Sequence, residues 1–132
     1  MLHFVSVNLW AVIVAALVQI AVGGVWNGWL FVRAFYESHE VKEGVRPSLP
    51  QALVMVALTI INSYILFNLF RNLGVTTATG GLKLAFWLWL ALLAPFIVGT
   101  GYATGRKKTI VLELGHTLLA MLAAGLVLGA WH

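Results

Sequence analysis

The stretch Thr109–Trp131, TIVLELGHTLLAMLAAGLVLGAW, decides the fold. It is a run of apolar and small residues long enough to cross the roughly 30 Å hydrocarbon core as a helix. Only Glu113 and His116 interrupt it with ionisable groups, and the basic triplet Arg106, Lys107 and Lys108 stands just before it. Such a run, flanked by cations, is the pattern of a transmembrane helix with a cytoplasmic edge.

Working outward, the same pattern recurs three times, at approximately 8–32, 49–70 and 82–103. Across the 132 residues 61% are hydrophobic and only 9% charged, and the charges crowd between these windows. Soluble domains carry about 25% charged residues. The connections are too short for a soluble domain, the longest running from Arg33 to Pro47. Short links make neighbouring helices antiparallel. The expectation is an all-α integral membrane protein, a single up-down bundle of four transmembrane helices.

Basic residues near the span ends set the orientation. Arg33, Lys42, Arg46, Arg106, Lys107 and Lys108 fall on one side, and Arg71 and Lys83 on the other. The richer side is cytoplasmic, which places both termini outside and makes Arg106, Lys107 and Lys108 topology determinants in contact with anionic headgroups. The first span is read as retained rather than as a signal peptide, since no basic region precedes its long apolar run. Trp10 and Trp131 suit the outer interface, and Trp29, Tyr36 and Tyr102 the inner one. Trp26, Trp87 and Trp89 lie deeper, where packing against a helix or lipid is favoured over stacking on a ligand. The net charge of +4 comes from these loops, so nucleic acid is not an expected partner; with no cysteine, disulfide frameworks and thiol chemistry are excluded.

Several motifs, taken together and in order, resemble one family: Asn8-Leu9-Trp10-Ala11-Val12, Gly23-Gly24-Val25-Trp26 with Gly28, Gly81-Leu82-Lys83-Leu84-Ala85-Phe86-Trp87-Leu88-Trp89-Leu90 closing on Ala94-Pro95, and Gly115-His116. The family is that of small bacterial membrane proteins catalogued as domain of unknown function 1761. The resemblance implies four spans and a bacterial inner-membrane location, with no activity, substrate or cofactor attached. Two positions depart from the family's pattern: Asn27-Gly28 stands where Tyr-Gly or Tyr-Ser is common, and Leu114-Gly115-His116 where Gly-Tyr-His is.

A charge at the centre of a span costs about 2.5–3.5 kcal/mol on insertion scales, so an intramembrane ionisable group is a functional candidate. Glu113 and His116 lie three residues apart on one face, a face continued by Ala120 and Ala124 and expected to meet other helices. By depth, Asn27, Pro95 and Thr100 belong near them, with Gln19, Thr59, Asn62 and Ser63 closer to mid-membrane. One hydrogen-bonded cluster is expected, with Glu113, His116, Asn27 and Asn62 as candidates for binding a ligand or relaying a proton. The plainer reading gives Glu113 to the basic cluster or the aqueous edge, and His116 to a single interhelical hydrogen bond. Glu-x-x-His is a di-iron spacing, but such sites draw further carboxylates from neighbouring helices and none lies in these spans, so no metal is expected. The loop residues Glu37, His39 and Glu40 lack a metalloprotease spacing and read as a polar surface turn. No cofactor is expected, with haem or a pigment on His116 the lesser reading.

Gly24-x-x-x-Gly28 and Gly125-x-x-x-Gly129 are small-xxx-small patterns that let helix backbones approach. They serve packing within the chain or against a second copy. The function expected is therefore a non-enzymatic scaffold, self-associating or attached as an accessory subunit to a larger membrane complex. The partners are the bilayer and either a homo-oligomer or another membrane protein. The alternative is a binding or transport module built on Glu113 and His116. An enzyme resembling the membrane glutathione transferases is disfavoured, because no span carries a central Lys or Arg.

Overall fold

The structure, a computed structural model, describes residues 8–26, 30 and 48–131. The described residues are all-α, in four rods without strands. The first is α1 (Leu9–Val25) and the second α2 (Leu49–Asn72). The third is built from α3 (Ala78–Leu88), a widened π turn (Trp89–Leu93) and α4 (Ala94–Thr104), and the fourth is α5 (Lys107–Ala130).

Local chemistry accounts for the ends. Asn8 Oδ1 accepts from the backbone N–H groups of Trp10 and Ala11 at 3.1 and 3.3 Å. Ser48 and Gln51 form a reciprocal capping box, with Pro50 in the first turn where its missing N–H costs nothing. The α2 end closes on Gly74 at φ 74°, with Val75 N–H donating to the Phe70 carbonyl and Gly74 N–H to that of Arg71. Gly105, at φ 73°, ends α4 in the same way. Both are left-handed closures that favour glycine. By contrast, α5 begins with Lys107 and Lys108 and has no acidic residue in its first turn. Cations there oppose the helix dipole, so those lysines do not stabilise the helix end.

The π turn has an identifiable cause. Pro95 has no N–H to continue the ladder, and its ring crowds the carbonyl one turn back. The helix widens just before it, with Ala94 N–H reaching the carbonyl of Trp89. Such single widened turns are the usual form of π-helix.

Three rods, Leu49–Asn72, Ala78–Thr104 and Lys107–Ala130, are long and apolar enough to cross a membrane. With 17 residues, α1 is about 25 Å long, short of the hydrocarbon core by roughly a turn. Of the expected first span, residues 27–29 and 31–32 lie outside the described residues. The second and fourth rods match their expected windows closely. The third begins four residues before the expected Leu82, because Thr77 caps it by accepting from Gly80 N–H at 3.0 Å.

Neighbouring rods run antiparallel. Gln19 of α1 lies opposite Ser63 of α2, Gly23 of α1 opposite His116 of α5, and Trp89 of the third rod opposite Thr117 of α5. Asn8 and Trp131 are thus at one end of the molecule. The fourth rod is central, since α5 packs on both α1 and the third rod. A core forms where Ala11, Val12 and Ala15 meet Leu66, Phe67 and Phe70, with Ala85, Met121, Ala124 and Leu128 closing it.

Among the described residues the bundle is open on one side. The buried residues of α2, Ser63, Leu66, Phe67, Asn68 and Phe70, all fall in its second half, and Leu49 to Asn62 contains none. In this half the side chains of Leu53, Val54, Met55 and Leu58 are all more than half exposed. The tie of this half to another described helix is at its end, where Asn62 Nδ2 donates to Gln19 Oε1.

Candidate functional site

The glycines of α5 settle how its face toward the third rod is used. A Cβ on Gly81 would fall 2.0 Å from the Gly125 carbonyl oxygen, and one on Gly129 would fall 2.3 Å from that of Thr77. Gly125 would collide with both Gly81 and Ala85. The Gly125-x-x-x-Gly129 pattern is therefore occupied within the chain, against Thr77, Gly81 and Ala85, and is not available to a second copy. Gly24 is different: no heavy atom of the described residues lies within 4 Å of where its Cβ would be. It is the adjacent Gly23 that takes part in helix contact. Gly28, with Asn27, lies outside the described residues.

On its other face α5 carries the ionisable pair. Glu113 Oε2 is 3.9 Å from His116 Nδ1, with the two side chains about one quarter exposed. The imidazole lies across the groove toward α1, where a Cβ on Gly23 would be only 3.0 Å from Nε2. Trp26 fills the next turn: its indole lies on Gly115, so closely that a Cβ there would be 2.5 Å from the ring. The slot for a histidine and a tryptophan between two helices is thus made by two missing side chains. Nδ1 of His116 is buried and makes no hydrogen bond within 3.5 Å among the described residues. Beside the pair, Trp89 Nε1 donates to Thr117 Oγ1 at 3.0 Å, and that hydroxyl donates to the Glu113 carbonyl at 2.6 Å. Of the three deep tryptophans, Trp26 and Trp89 contact α5 and Trp87 is 62% exposed.

Among the described residues the polar groups expected in one cluster fall into two. Asn62 belongs to a second group, between α1 and α2: Gln19 Nε2 donates to Ser63 Oγ at 2.8 Å, and Asn62 Nδ2 to Gln19 Oε1 at 3.2 Å. Ser63 and Thr59 return their hydroxyls to their own helix, to the carbonyls of Thr59 and Met55. No hydrogen bond joins this group to Glu113 or His116 among the described residues. Pro95 and Thr100 are exposed on the far side of the third rod and join neither group. Equal depth does not bring side chains together when the helices present them in different directions.

One residue counted as a loop charge is folded into the bundle. The Arg71 guanidinium donates through Nη2 to the Leu128 carbonyl near the end of α5 and stacks over Phe67 at 5.4 Å. A cation on the last carbonyls of a helix is favourably placed, so Arg71 clamps α2 to α5. Arg106, Lys107 and Lys108 are exposed at the opposite end. Among the described residues no three His, Asp or Glu side chains converge as metal ligands would.

A family model described as Protein of unknown function (DUF1761) matches residues 10–129, nearly the whole chain. Neither the curated proteins nor the solved structures contain a match to it.

Proposed function

Since the chain belongs to the family described as Protein of unknown function (DUF1761), whose description names no reaction, we propose from its own architecture that it is a non-enzymatic membrane scaffold. It associates with itself or serves as a small accessory subunit of a larger membrane complex. The observation that supports this reading is the uncovered half of α2, residues 49–62, beside a core formed by the rest of the bundle. A helix face left bare by the other described helices offers lateral surface to a neighbour, and packing rather than hydrophobicity drives helix association in lipid. In this reading the protein sits in a bacterial inner membrane with Arg106, Lys107 and Lys108 on the cytoplasmic side and both ends outside. No cofactor takes part.

Extraction in mild detergent followed by mass measurement of the intact particle tests it. The expected particle exceeds one chain of 14.4 kDa, as a multiple of itself or with another protein bound. A strictly monomeric particle with nothing co-purifying contradicts it.

The Glu113 and His116 slot favours a second reading, a binding or proton-relay module, because the buried His116 Nδ1, which makes no hydrogen bond among the described residues, lies 3.9 Å from the Glu113 carboxylate. Replacing Glu113 by Gln and His116 by Ala is then expected to abolish binding or transport with insertion intact. Unchanged behaviour in both variants removes this reading.

A further inference from the structure

Four residues of α2 line up on its uncovered side: Met55, Leu58, Asn62 and Ile65, at spacings of three, four and three. Met55 is 61% exposed, Leu58 60% and Ile65 46%, and Asn62 is exposed with them. The spacing is that of a single helix seam of the a/d kind. An amide sits in the middle of this otherwise apolar seam. Asn62 uses one N–H on Gln19, while its Oδ1 accepts nothing among the described residues. It is the fourteenth residue of a 24-residue apolar helix, so it faces neither interface. Hydrocarbon offers a half-used amide no partner, and polar side chains at such depth find one on another helix.

We infer that this seam is the contact between two copies of the chain, with Asn62 of each copy hydrogen-bonded to Asn62 of the other. The choice of occupant follows from symmetry. Copies inserted in one membrane share one orientation, so a twofold axis relating them runs along the membrane normal and equivalent residues meet at equal depth. An amide both donates and accepts, so two copies of one asparagine satisfy each other. A buried asparagine in an apolar seam also fixes register and favours pairs. The inference rests on the scaffold reading and narrows it to a surface and a partner.

The chain contains no cysteine, so single-cysteine variants are free of background. Leu58→Cys and Ile65→Cys, oxidised in native membranes, are expected to give a covalent dimer, and Leu126→Cys on the exposed side of α5 is expected to give none. Reversible dimerisation in detergent is expected to weaken about three- to thirtyfold in Asn62→Leu, the range of an interhelical hydrogen bond in membranes. That variant also loses the intrachain bond to Gln19, which Gln19→Leu removes while leaving Asn62 in place. Gln19→Leu is expected to dimerise as well as the parent.

Equal weakening in both variants assigns the amide to the chain's own packing and overturns the inference. Crosslinking of the seam cysteines to a different protein, or of Leu126→Cys alone, also overturns it while leaving the scaffold reading in place. A monomeric parent particle with no partner removes both.

Discussion

Gly81, Gly125 and Gly129 show how little room the fold allows. Each would drive a Cβ into backbone of the facing helix, and backbone cannot move aside as a flexible side chain can. Gly81→Ala and Gly125→Ala are therefore expected to lower stability by about 1–3 kcal/mol, the ordinary cost of overpacking. Gly24→Ala, with open space around it, is expected to change stability by less than about 0.5 kcal/mol. Reversible unfolding in detergent, followed by loss of helix signal, measures the contrast; equal effects at Gly24 and Gly125 contradict the packing described. The small-xxx-small pattern was visible in the sequence, but its partner was not. Gly81 and Ala85 lie about forty residues before Gly125, and nothing in their spacing says which helix they will meet. His116 is a similar case: its place on an inward face was legible, whereas Gly23, the absent side chain that receives it, was not.

Among the elements, α2 is divided into two halves that differ in what holds them. Phe67 and Phe70 are buried against α1 and α5, while Leu53 is 60% exposed. Truncating Phe67 to Ala in lipid leaves a cavity even though lipid cancels much of the transfer cost, and is expected to cost about 2 kcal/mol. Leu53→Ala removes a side chain with little protein around it to lose and is expected to cost less than about 0.5 kcal/mol in the separated chain. The same unfolding measurement applies, and a large loss at Leu53 contradicts an uncovered half-helix. The missing N–H of Pro95 was readable from the sequence, and so was the freed carbonyl. The answer chosen by the backbone, a widened turn reaching from Ala94 to Trp89, depends on the packing of the whole third rod. That turn shifts which side chains follow it onto each face, one reason why matching by depth did not place Pro95 and Thr100.

For the whole molecule, the windows poor in charge were enough to recognise long apolar helices, because about twenty residues without charge suit a rod solvated by lipid and are rare in chains solvated by water. Their angular arrangement was not legible, since in lipid every face of such a helix is apolar and no amphipathic stripe marks the inside. This is why depth groups Gln19, Asn62 and Ser63 correctly with one another, yet also points them toward Glu113 and His116, to which no hydrogen bond joins them among the described residues. The turn at 73–77 and the turn around Gly105 lie at opposite ends of the third rod, and the proposed orientation puts them on opposite sides of the membrane. The most direct measurement is labelling of Thr76→Cys and Ala103→Cys in intact cells with a thiol reagent that cannot cross the inner membrane. Thr76→Cys is expected to react from outside, and Ala103→Cys only after the membrane is permeabilised. Reaction of both from the same side shows that residues 78–104 do not cross, and contradicts the four-rod membrane architecture.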